Sequence, residues 1–386
     1  MNLKIFVTFL ILGLGSLSAQ TFSPKFTSLQ KNDINKSSQN INILAVMVEF
    51  QPDKFELTYG DGTFGTIYSK DYGNSIIDPL PHNKNYFEDH LKFAQNYFNK
   101  SSNGIVEINY NVIPEVVKVS KFMREYSPDE NGGFKILGDF ATEVWNLAEQ
   151  QNNDLDFSQY DLFVIFHAGV GKDISTSNLL GEPRDLPSIY ISLNSLKQFY
   201  GNEFEGITLS NGFNITNSAI LPETESREES GLGGTVLLEL SINGLIVSNI
   251  ASYLGLPDLF DSETGKSAIG RFGLMDGQSL FAFGGLFPPE PSAWEKIFLG
   301  WEEPVTFGFD KTNINVVTRL AYELNREHYK IVKIPINSTE YYLVENRQRD
   351  ANKDGAKITY KSDGIIRTIT FQEDLDEFNN AIIDTL

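Results

Sequence analysis

Asp350, Asn352 and Asp354, followed by Gly355, spell D-x-N-x-D-G. Oxygen side chains at alternate positions before a glycine are the opening of an oxygen-rich Ca²⁺ loop. The twelfth position of such a loop falls on Lys361, where a bidentate acid belongs, so an Asp/Asn/Gly hairpin turn is the competing reading. The chain has four histidines, His82, His90, His167 and His328. His82 and His90 do not have the i,i+4 spacing that sets two imidazoles on one metal. His167 closes an apolar run before a glycine turn and reads as a hydrogen-bonded structural residue. His328, among charged neighbours, reads as solvated. There is no cysteine, which excludes disulfides, thiolate zinc sites and a cysteine nucleophile. No G-x-S-x-G occurs, and Asn211-Gly212 and Ser230-Gly231 read as turns.

The elements that must position these residues are legible as periodicities. Ile41 to Phe50 is an apolar run of buried-strand type, as is Tyr160 to Phe166. Phe87, Leu91, Ala94 and Phe98 mark an amphipathic helix over Asn85–Asn99, and Phe140, Val144 and Leu147 mark another. Gly104 to Ser120 reads as one or two β-segments. Leu238, Ile242, Ile246, Ile250 and Leu254 form one stripe of a helix expected over Leu237–Leu254. Ser241, Gly244, Ser248 and Ser252 form a second, small-residue stripe, and Gly255-Leu256-Pro257 ends the helix. Pro291 to Trp301 is a further short helix. The Gly-rich stretches Tyr59–Pro81 and Gly201–Gly234 read as loops, the second as a surface excursion. From Val305 the chain turns β-like, at Asn315–Arg319, His328–Ile336, Glu340–Glu345 and Ile365–Phe371. The alternation of strands and helices predicts a mixed α/β body.

Composition sets the outer limits. The chain has 386 residues, 41% of them hydrophobic, with a formal net charge of −20. That acidity argues against nucleic-acid partners and anionic membranes. Lys4, the apolar run Ile5–Leu14 and the small residues up to Ala19 form a secretory signal pattern, with cleavage expected near Ala19 and no membrane insertion afterwards. Residues 20–40 read as a linker or short pro-segment.

Tyr253 to Asp261, YLGLPDLFD, resembles the stretch that closes the zinc-binding helix in metallopeptidases of the immune inhibitor A type (peptidase family M six). Further blocks, ILAVMVEF, YDLFVIFHAGVG, FGLMDG, PSAWEKIFLGW and YYLVENRQRD, are similar to landmarks of that family in the same order, from about Ile41 to about Asp354. The resemblance implies a zincin (metzincin-like) α+β or mixed α/β domain over 41–304 and a β-rich C-terminal portion over 305–386, expected to be shortened. It also implies secretion and an ancestral proteolytic reaction.

The family carries H-E-x-x-H before this turn. Two imidazoles bind zinc, the glutamate is the general base, and a third ligand follows the glycine. In register, the first His falls on Ser248, the Glu on Asn249, the second His on Ser252, the glycine on Gly255, the third ligand on Asp258 and the Met-turn on Met275. A serine hydroxyl is a weak neutral ligand, asparagine is no base, and one carboxylate falls short of the three protein ligands of a catalytic zinc site. The resemblance therefore implies a pseudopeptidase without zinc. Its retained cleft would bind a peptide or protein ligand, with calcium open as a structural ion at Asp350, Asn352 and Asp354. The alternatives are an active zinc metalloendopeptidase with unconventional ligands and a decayed gene product. Asp258 and Met275 also have plain readings, as a turn residue and a core side chain.

Overall fold

The structure, a computed structural model, describes residues 39–73, 76–128, 133–174, 183–231, 234–261, 265–270, 272–277, 284–309, 314–316, 328–347, 356–362 and 365–371. The expected signal and nearly all of the expected linker, the Asp350/Asn352/Asp354 run and residues 317–319 lie outside them.

The fold is mixed α/β. Strand β1 (Gln39–Glu49) begins two residues before the expected strand. Helix α1 (Lys84–Ser101) follows, opened by the Asn83 side chain, which accepts from the Asn85 and Tyr86 amides. Then come β2 (Val106–Val112), β3 (Val117–Lys118), the single turn α2 (Met123–Tyr126), α3 (Lys135–Gln151), β4 (Leu162–Val170), β5 (Ile189–Ile191) and α4 (Leu193–Tyr200). Two short strands, β6 (Ile207–Thr208) and β7 (Asn214–Ile215), pair with each other before β8 (Ser218–Thr224).

The main sheet runs β2-β1-β4-β8-β5, with β3 also on β1. The neighbours of β1 and the β4–β8 pair are parallel, whereas the edge strand β5 is antiparallel to β8. Alternation along β1 divides the core. Ile41, Ile43, Ala45 and Met47 face Phe87, Leu91, Ala94 and Phe98 of α1. Leu44, Val46, Val48 and Phe50 face Leu137, Phe140, Val144 and Trp145 of α3. Because helices cover both faces, β4 is buried at all nine positions, which is why its sequence is apolar without alternation.

Three expectations are corrected here. The stretch expected to be a surface excursion contains β8, a strand in the interior of the sheet, buried at every position. Its apolar signal is only Ala219, Ile220 and Leu221, and polar residues follow directly, so the local text did not reveal it. The helix expected over Leu237–Leu254 is a strand and then a helix. β9 (Arg227–Gly231) pairs antiparallel with β10 (Gly234–Leu238), and α5 runs only from Asn243 to Tyr253. Pairing with β9 and main-chain bonds from Ser241 to Gly284 and Gly244 to Gly285 override the four-residue stripe. Third, β4 runs through His167 to Val170, with a register shift against β8 between His167 and Val170.

Beyond α5, α6 (Ala293–Phe298) is opened by Ser292 and Glu295 in a capping box. β11 (Val305–Thr306), β12 (Ile331–Pro335) and β13 (Tyr341–Glu345) form one sheet, and β14 (Ala356–Ser362) pairs with β15 (Ile365–Phe371). β14 was not expected. Arg347 ties β13 back to the body by donating to the carbonyls of Glu290 and Pro291. Among the described residues, no helix is long and apolar enough to cross a membrane.

Candidate functional site

Helix α5 carries the three motif-equivalent residues, and its apolar side chains Leu245, Ile246, Val247 and Ile250 hold it in the core. Each of the three turns its polar group onto its own helix. Ser248 Oγ donates to the Leu245 carbonyl at 3.0 Å, Asn249 Nδ2 to the same carbonyl at 2.8 Å, and Ser252 Oγ to the Ser248 carbonyl at 3.1 Å. These are back-bonds to residues three and four positions earlier, which satisfy a small polar side chain without any outside partner. Ser248 and Asn249 are buried and Ser252 is half-buried. The carbonyl oxygen of Asn249, Oδ1, has no hydrogen-bond partner among the described residues.

The helix stops where the sequence says it should. Gly255 takes φ +98°, a conformation that a side chain disfavours. Its amide bonds the Ser252 carbonyl, and the Leu256 amide bonds that of Ala251. The chain then turns through half-buried Asp258, and the Leu259 amide meets the Met275 carbonyl at 2.8 Å. Met275 is buried, and its own amide is held by Glu295 Oε1 at 2.8 Å. The turn after α5 and the methionine segment are thus adjacent. On the other side, α5 lies beside the edge strand β5, with the rings of Tyr190 and Tyr253 edge to face at 6.2 Å.

Sequence reasoning missed a second polar centre, at the carboxyl ends of β4 and β8. Glu223 is fully buried. Its carboxylate accepts from the Gly65 and Gly169 amides, both at 2.9 Å, and lies 2.7 Å from His82 Nδ1. Burial pushes the His82 imidazole toward neutrality, but the bond to Glu223 and the charges of Glu223 and Asp78 prevail, so its pKa is raised. Tyr86 stacks on His82 at 4.3 Å, meets His90 edge to face at 4.5 Å and donates to the Glu223 carbonyl. His90 bonds Asn243 Oδ1 at 2.7 Å, and burial lowers its pKa. The two histidines therefore flank one tyrosine, each with its own partner. His167 is buried with Nδ1 on the Ala168 carbonyl at 3.0 Å, as expected of a structural residue, and burial drives its pKa down to about 4. His328 is half-buried.

Two residues beyond Glu223, Glu225 is buried against Arg227, and Asp173 and Asp185 are buried nearby. Acidic side chains, Asp185 and Glu223 among them, also hold the described part of the Gly-rich 59–77 stretch. The main-chain amides of Tyr59, Phe64, Gly65, Ser69 and Ile77 donate to Asp185, Glu49, Glu223, Glu228 and Glu239 respectively. One signal was available in the sequence: glycine-rich text supplies accessible main-chain donors, and the 223–239 segment is dense in glutamate. Their pairing needed the fold.

Among the described residues, no group of three or more His, Cys, Asp or Glu side chains is arranged to hold a metal ion. The chain matches no protein-family model and no curated protein.

Proposed function

We propose that this chain is a secreted relative of the immune inhibitor A-type metallopeptidases, built on their zincin-like scaffold, that binds an extended peptide and does not hydrolyse it. The observation that carries this reading is the inward turn of Ser248, Asn249 and Ser252, each of which donates a hydrogen bond to one of α5's own carbonyls. Such a set does not fit zinc. Neutral hydroxyls engaged as donors make poor ligands, and an amide cannot take a proton from metal-bound water. The mixed α/β body, the contact between the post-helix turn and the Met275 segment, and the position of β5 support the scaffold. β5 ends the main sheet, so its outer main-chain groups can take an extended peptide as an added strand, beside the Tyr190 and Tyr253 rings. The unpartnered Asn249 Oδ1 offers an acceptor on the same helix.

The test is elemental analysis of the purified full chain together with a peptide-binding assay. Expected are substoichiometric zinc and saturable binding of unstructured peptide that Tyr190→Ala weakens. Near one equivalent of tightly held zinc with chelator-sensitive cleavage of a protein substrate would replace this reading with an active peptidase using Asp258 and unconventional ligands.

A further inference from the structure

Asp173, Asp185 and Glu225 are each 1% exposed or less, and the one guanidinium among them belongs to Arg227, also 1% exposed. Arg227 Nη2 bonds Glu225 Oε2 and the Gly171 carbonyl, Nη1 bonds the Ile174 carbonyl, and the guanidinium lies over the Tyr59 ring at 5.3 Å. Asp173 accepts from the Ser188 amide and, at 2.8 Å, from its hydroxyl. Asp185 Oδ1 accepts from the Tyr59 amide at 2.9 Å. Glu225 and Asp173 meet carboxyl to carboxyl, a contact that one shared proton turns into a hydrogen bond, and Asp185 Oδ2 has no hydrogen-bond partner among the described residues. The packing here is close: a Cβ built on Gly171 would stand 1.7 Å from Glu225 Oε1 and 2.7 Å from Asp173 Oδ2.

Three buried carboxyls around one cation cannot all be ionised without a large uncompensated charge. The remaining charged groups do not cancel it. Lys172 lies two residues past the end of β4, and its attraction on Asp185 is weaker than that of Arg227. Arg184 turns its guanidinium to the carbonyls of Arg124 and Ser127. Glu229 bonds the Tyr59 hydroxyl and adds negative charge, while Glu223 is already engaged with His82.

We propose that Asp173, Asp185 and Glu225 form a proton-operated latch. Protonated, it clamps the segments around Tyr59 and Ser188 over the carboxyl ends of β4 and β8; ionised, it releases them. Burial raises the pKa of all three, that of Asp185 to about 7. A carboxyl whose folded pKa is raised contributes stability that is full below its unfolded pKa of about 4 and lost as pH rises through the folded value. For Asp185 the window therefore runs from about pH 4 to about 7.

The test uses the full chain. Asp185→Asn and Glu225→Gln mimic the protonated forms, and the side-chain oxygen retained in Asp185→Asn would still accept from the Tyr59 amide. Hydrogen exchange at the Tyr59 and Ser188 amides, corrected for intrinsic rate, is compared between about pH 5 and 8. In the native chain, protection should fall by up to about tenfold per pH unit for each proton released. In the two variants the fall should be shallower. His82 and His167 also titrate, so the difference between chains is what counts. Carbon-13 carboxyl NMR of the unsubstituted protein gives the second reading, in which a buried Asp or Glu should titrate near neutrality. Parallel exchange profiles in all three chains, or no carboxyl titrating above about pH 5.5, would overturn the latch.

Discussion

On α5, the polar groups of Ser248, Asn249 and Ser252 reach carbonyls three or four residues away. At the carboxyl end of β8, Glu223 reaches Gly65 across 158 residues of sequence, and Ser226 reaches Leu240 across 14. Both regions are buried and polar. In the first, the side-chain donors are met within the helix itself. In the second, each side chain fixes a separate segment, so the tertiary arrangement depends on it. A residue's polarity therefore says little about its structural weight; the sequence distance to its partner says more.

The largest expected effect lies on the self-contained helix. In the register of the resemblance, Ser248→His, Asn249→Glu and Ser252→His together restore H-E-x-x-H ahead of Asp258. Zinc affinity should then rise from undetectable to a binding free energy on the order of 10 kcal/mol, read by competition with a chromogenic chelator. No gain in a folded triple variant would break the register, and with it the family reading.

At the β8 end the same kind of change should only destroy. Glu223→Ala leaves the half-buried Gly65 amide, the buried Gly169 amide and the His82 ring without their acceptor. The expected loss is about 3–5 kcal/mol in denaturant unfolding. A loss under about 1 kcal/mol would show that water replaces the carboxylate and would remove the contrast between the two regions.

His167 sharpens the comparison through pH. Its folded pKa is lowered by burial to about 4, so its contribution is present above the unfolded value of about 6.5 and is lost as pH falls through the folded value. By pH 4 this one group costs about 3 kcal/mol. His167→Gln should flatten the acid limb of the stability curve between about pH 6.5 and 4, whatever it does to stability at pH 7. An unchanged acid limb in a folded variant would assign that limb to other groups.

The sequence made the continuous apolar strands β1 and β4 and the helices α1 and α3 legible, because parallel sheets buried on both faces and amphipathic helices leave period signals in local text. Gly255 and the end of α5 were legible for the same local reason. The start of α5 was not, because Leu238 fits a helical stripe, whereas in the fold Leu237 and Leu238 pair with Glu228 and Arg227 across the β9–β10 ladder. β8 was hidden by its composition, since Glu223 and Thr224 at its end and the residues after it are polar. Of the candidate site, the positions Ser248, Asn249 and Ser252 were singled out by the resemblance alone. The Glu223–His82 pair was not, because its members lie 141 residues apart and neither belongs to a spaced motif.

The smallest effects give the cleanest comparison, since they change one hydroxyl in each region. Ser248→Ala loses a bond to the Leu245 carbonyl and gains helix propensity, so stability should stay within about 0.5 kcal/mol of the native chain. Ser226 is different: its hydroxyl accepts the Leu240 amide at 2.9 Å and reaches back to the Leu240 carbonyl at 3.2 Å. Both residues are buried, so Ser226→Ala strands a donor that water cannot reach and should cost about 1–3 kcal/mol. Equal costs for the two alanines, measured by urea unfolding under one set of conditions, would mean that partner distance does not govern the weight of a buried hydroxyl here. A larger loss at Ser248 would instead mean that α5's small polar face supports a neighbour.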